Sequence, residues 1–162
     1  MTLSEIRAVA IAPALALLPA RMKSPQAEAL LLAIGLQESG LAHRRQIGGP
    51  ARGLWQFEQG GGVRGVLLHP LSRPHALAAC EARSVKPSAA AVYAELEHDD
   101  ILAAAFARLL LWTDPASLPA VGEVGAAWDL YLRTWRPGKP HRNRWDAGYA
   151  KAMDALAGGV LA

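Results

Sequence analysis

No stretch of this sequence alternates apolar and polar residues in the manner of a half-buried strand. That absence constrains the fold more than any other feature. β-Branched residues are sparse, and the apolar content is mostly alanine and leucine, which favour helix. A β-sandwich or barrel is therefore excluded, and an all-α chain is expected. Hydrophobic residues make up 52% of the 162 positions and charged residues 19%, which excludes disorder. A chain of this length can bury its own core as one domain, residues 1–162. No internal repeat or linker divides it.

Start and stop signals divide the chain into about six to eight short helices. Ser4 is read as the cap of a first helix that runs to about Leu18 and is bent or broken at Pro13. Its apolar run, Ala8 to Leu18, resembles a signal-peptide core in length. However, Glu5 precedes it, Arg7 is the lone flanking base, Pro13 and Pro19 interrupt it, and no Ala-x-Ala site follows in good context. A buried N-terminal helix is expected, with no clear signal peptide. Ser24-Pro25 pairs an N-cap with proline at the first helical position, and Gly40 is placed to stop the helix from Gln26 to Ser39. Residues 40–62 read as a glycine-rich loop. Helical signals return over 63–68, 74–83, 88–97, 98–112 and 121–135, and a last helix runs from Asn143 to Leu156, stopped by Gly158-Gly159. No segment approaches the length of a membrane span.

The charge is +3, with a pI near 9.4. A basic surface suits a polyanion such as nucleic acid, anionic lipid or an acidic wall polymer. Nucleic acid rests on charge alone, because no block of five or more basic residues occurs. The single cysteine, Cys80, excludes an internal disulfide framework and a cysteine-built metal site; it is read as a small buried hydrophobe. The five histidines lack metal-ligand spacing, so neither a metal nor a cofactor is expected.

Chemistry concentrates between Glu38 and Phe57. Glu38 falls in the last turn of an otherwise apolar helix, where the helix C-terminus disfavours a carboxylate. Burial beneath the following loop acts in the same direction. Both raise its pKa, as a general acid at neutral pH requires. Gly48, Gly49 and Gly53 let the backbone pass close to something bulky, and Trp55, Gln56 and Phe57 add two aromatics and an amide. Flat aromatic faces and amides suit sugars, and an acid facing such a groove is the core of glycosidic cleavage. Phe57 is assigned to the core. Glu58 is a candidate second carboxylate.

These residues resemble a known signature. Glu38-Ser39 followed by Gly53-Leu54-Trp55-Gln56 is similar to the Glu-Ser and Gly-Leu-Met-Gln segments of soluble lytic transglycosylases and goose-type lysozymes, with 18 positions from Glu38 to Gln56 as in that family. The resemblance covers roughly residues 26 to 58. It implies an all-α, lysozyme-like domain that cleaves the bond between N-acetylmuramic acid and N-acetylglucosamine in peptidoglycan. It implies Glu38 as catalytic acid and base, with Ser39, Trp55 and Gln56 at the substrate. Trp55 stands for the usual methionine. Ile47 stands where the family often has a serine, and the family's later Tyr-Asn-Ala-Gly segment is not present as such. Trp128, Tyr131 and Trp135 fall where that segment would lie, so Tyr131 takes the place of its tyrosine and Trp135 joins the substrate site.

The stretch from Trp128 to His141 is similar to segments of bacteriophage and prophage proteins of the virion or lysis region. It is an aromatic helix face followed by a basic loop in which Arg133, Arg136, Lys139, Arg142 and Arg144 can hold an acidic glycan or a lactyl-peptide carboxylate. The implied partners are peptidoglycan strands and other virion proteins. The implied location is the virion or the host cytoplasm, with action in the periplasm or wall. The alternative is a phage structural or wall-binding protein that keeps the fold without catalysis.

Overall fold

The computed structural model describes residues 1–161, with side chains through Gly158. It is all-α. The helices are α1 (Leu3–Ile6), α2 (Ala12–Ala16), α3 (Pro25–Ser39), α4 (Arg64–Leu68), α5 (Arg73–Ala82), α6 (Ala89–Leu96), α7 (Asp100–Trp112), α8 (Val124–Trp135) and α9 (Arg142–Leu161). Among the described residues there is no strand, only isolated bridges from Arg52 to Arg45 and to Phe57.

The N-terminal run is continuous. The cap is Thr2 rather than Ser4: its hydroxyl accepts from the Glu5 amide while the Glu5 carboxylate accepts from the Thr2 amide, a reciprocal capping box. Pro13 does not break the helix. A wide π-turn at Arg7–Ile11 precedes it and joins α1 to α2. Ile6, Ala10, Ile11, Ala14 and Leu15 are buried, so this segment is part of the core.

Helix α3 is the centre of the molecule. Ser24 caps it by accepting from the Ala27 amide, and Pro25 opens it. Ala27 and every residue from Ala29 to Gly35 are buried, so the helix is covered on all sides rather than along one stripe. It lies against α9 and α7. Removing each large apolar side chain from water contributes about 1.5–3 kcal/mol. Gly40 ends the helix in the left-handed region, φ +65, and its amide bonds to Leu36 O at 3.0 Å. The last turn, Leu36, Gln37 and Glu38, is half-buried.

Helix α7 is the second buried element. Its N-cap is Asp99, which accepts from the Leu102 amide. Arg108 is 3% exposed; its Nε donates to Met22 O at 2.8 Å and its guanidinium lies over the Trp112 ring. Burial pulls this guanidinium down to about 10. The last helix begins at Arg142 and does not stop at Gly158-Gly159 but continues to Leu161. It lies against α3, and its Trp145 and Tyr149 are buried in the core, where Trp145 meets the α8 aromatics.

Candidate active site

The loop from Leu41 to Glu58 folds back over the end of α3 and is held there from several sides. Arg44 makes a two-point ion pair with Asp100 at 2.9 and 2.7 Å, and Arg45 pairs with Glu97 at 2.7 Å. The Tyr93 hydroxyl donates to Pro50 O. Arg52 and Phe57 exchange backbone bonds at 2.9 and 2.8 Å across a tight turn closed by Gln56 N to Gly53 O at 2.9 Å. Gly53 sits at φ +80, and a Cβ there would come within 2.8 Å of Leu96 O. The glycine is thus required by close packing: the bulky neighbour that the backbone passes is the end of α6.

The loop and α3 are joined by two residues that the sequence reading placed at the substrate. Ser39 is 8% exposed; its hydroxyl donates to Leu54 O at 2.5 Å and accepts from the Leu41 amide at 3.1 Å. Trp55 is fully buried, with Nε1 donating to Leu31 O at 2.8 Å. Neither side chain lines the cleft. Both assignments are corrected: Ser39 and Trp55 fasten the loop to the core helix. A motif fixes neighbours along the chain, but the tight turn directs Trp55 inward and leaves Gln56 outward.

The cleft itself encloses about 1450 Å³, and Glu38, Gln56, Tyr131 and Trp135 all line it. Gln56 is held in the left-handed region, φ +53, and its Nε2 donates to Gly53 O at 2.8 Å. A non-glycine residue in that conformation is a strained position of the sort that clusters at functional sites. Trp135 Nε1 donates to Trp55 O at 2.9 Å, and its ring meets Phe57 edge-on at 5.9 Å. Phe57 is 2% exposed, a core residue as expected, and one edge of it reaches the cleft.

Tyr131 Oη donates to Glu38 Oε1 at 2.5 Å. The tyrosine ring is stacked on Trp145, with centroids 5.3 Å apart and planes at 15°, and tilts against Trp128 and Trp135. Trp145 carries its own bond, Nε1 to Val124 O at 3.0 Å. The sequence reading missed Trp145. Its signal was an aromatic three residues into a helix, which resembles any core position.

Burial raises the Glu38 carboxyl above the usual glutamate value of 4.5; the Tyr131 hydrogen bond and the positive charge of Arg144 act against it and are outweighed. Burial, with Glu38 beside it, pushes the Tyr131 hydroxyl upward too, so it remains a proton donor in the bond. Glu58 is exposed on the cleft wall. Of the basic loop, Arg133 is engaged by Asp114 at 2.9 Å, and Arg142 by Asp146 at 2.9 Å and by the Trp128 face. Arg142 does not line the cleft; Arg136, Lys139 and Arg144 do. Gln37 Nε2 fixes this loop to the end of α3 by donating to His141 O at 3.0 Å.

Ile47 is 89% exposed and lies outside the cleft lining. Cys80 is buried, and burial pushes its thiol upward. Among the described residues, no three His, Cys, Asp or Glu side chains gather into a metal-binding group, and no helix is long and apolar enough to cross a membrane. No family model, no curated protein and no solved structure matches the chain.

Two outcomes are expected. Ser39→Ala leaves the buried Leu54 carbonyl without its donor, while the Leu41 amide keeps its bond to Gly35 O, so stability should fall by about 1–3 kcal/mol in denaturant melts. Loss of turnover at unchanged stability would instead put Ser39 at the substrate. The second concerns Glu38, whose folded carboxyl holds its proton to higher pH than the unfolded chain does. Stability therefore falls as pH rises through the window between the two values. The penalty is absent below that window and complete above it. Glu38→Gln should melt higher than the native protein at about pH 8 and equally at about pH 4. A variant that melts lower at the higher pH contradicts the burial argument.

Proposed function

We propose that this cleft cleaves the glycan strand of peptidoglycan and that Glu38 is the acid that does it. The observation that supports this most is the half-buried carboxyl of Glu38, shifted towards its protonated form, with one oxygen already taken by Tyr131. Tyr131 occupies Oε1, so the transferable proton belongs on Oε2. The tyrosine acts as a positioning residue, and the stack on Trp145 limits its movement.

The chemistry follows from that assignment. Oε2–H protonates the oxygen linking N-acetylmuramic acid to N-acetylglucosamine, and the bond from that oxygen to the muramic C1 breaks. The sugar left behind carries positive character at C1. The Glu38 carboxylate then takes a proton from the incoming nucleophile. If that is the muramic 6-hydroxyl, a 1,6-anhydro end forms; if it is water, a reducing end forms. Arg144 stabilises the carboxylate between the two steps. Gln56 and Trp135 offer an amide and an aromatic edge to the strand. A chain with this activity works on the wall side of the cytoplasmic membrane, and the resemblance to phage segments suits delivery with a virion or at lysis.

Purified wall incubated with the protein should release soluble fragments whose masses distinguish anhydro from reducing ends. Glu38→Gln should lower the rate about a hundred- to ten-thousand-fold with the fold intact, since the amide has no proton to give. Full activity in that variant would move the acid to Glu58. No product from any wall preparation would favour a non-catalytic, wall-binding or structural role.

A further inference from the structure

The cleft is larger than the roughly 300–1,000 Å³ typical of small-molecule pockets, and its walls differ in kind. Gly60 and Gly65 line it, and a Cβ built on either meets nothing within 4 Å. Gly65 stands inside α4, where glycine is a poor helix former and no internal contact demands it. This part of the wall is bare where side chains would fit. Elsewhere the cleft is lined by Arg136, Lys139 and Arg144, none of which pairs with a carboxylate within 4.0 Å among the described residues, although Arg133 and Arg142 beside them do. Their charge is left facing the cleft.

Resting on the reading of the site as a glycan cleft, we infer that it selects strands whose muramic sugars carry free carboxylates, with Arg136 and Lys139 as the carboxylate subsite and the bare wall at Gly60 and Gly65 as room for a bulky substituent. A neutral chitin-type strand gives those cations nothing to pair with. Two sources supply the carboxylate: the stem peptide, or the lactyl group exposed when the peptide is removed. The bare wall favours the peptide, because a lactyl group needs no such space.

The test measures binding without turnover, using the Glu38→Gln protein and muramyl glycan fragments of equal length. One fragment bears an acidic stem peptide, one has that peptide's carboxylates amidated, one carries only the lactyl carboxylate, and a chitooligosaccharide serves as the neutral sugar. The acidic peptide fragment should bind at least about ten-fold tighter than its amidated form, with the preference shrinking as salt is raised. Adding Arg136→Gln and Lys139→Gln should collapse that ratio. Gly65→Leu should leave the melting temperature unchanged or raised while weakening the peptide-bearing fragment alone. If the lactyl fragment binds as tightly as the peptide one, the lactyl group is the source of the carboxylate. Equal binding of acidic and amidated fragments overturns the subsite but leaves the glycan reading standing. If no sugar binds, chitooligosaccharide included, both fall.

Discussion

Everything at the site depends on one constraint: a helix buried on all sides carries a carboxylate in its last turn. Helix α3 is covered on all sides over the residues from Ala29 to Gly35, so its direction is not free to adjust. Where it leaves the core, Glu38 leaves with it, into a place too dry for a comfortable negative charge. Two neighbours oppose that cost, the Tyr131 hydroxyl from α8 and the Arg144 charge from α9, and burial outweighs them. The site is therefore assembled where three separate helices converge, and none of them supplies it alone.

The loop after α3 exists in its observed form because it must close over that end. Ser39 and Trp55 bond to backbone groups on opposite sides of the junction, and the ion pairs of Arg44 and Arg45 fasten the outer part of the loop to the α6–α7 corner. The arrangement divides four consecutive residues by face. Leu54 and Trp55 point into the core, Gln56 is turned outward by its positive φ, and Phe57 returns inward. The outward turn of Gln56 places its amide in the same cleft as Glu38.

Much of this could be read from the chain before its folding was known. Ser24-Pro25 and Gly40 bound α3 in the structure as they do in the sequence, because caps are local physics and act within one turn. Ser88 also caps the helix expected to begin there. Glu38, Gln56 and the α8 aromatics were legible as candidates because an acid at the end of an apolar helix and an amide between aromatics are unusual neighbours. The roles of Ser39 and Trp55 were not legible, since inward and outward faces of a tight turn differ by one backbone angle. Nor was Trp145, which meets Tyr131 only through tertiary packing of α9 against α8. Thr2 displaced Ser4 as the first cap because Glu5 completes a reciprocal box with it. The run through Gly158 was missed because flexible residues permit a stop without requiring one.

The claim on which the rest stands is that burial, more than any partner, sets the proton affinity of Glu38. Its side-chain carboxyl can be followed directly by carbon NMR as pH is raised, in the native protein and in Tyr131→Phe. The native midpoint is expected above 4.5, and removing the tyrosine hydroxyl should move it higher still, because that bond favours the charged form. A native midpoint at or below the ordinary glutamate value would contradict the account.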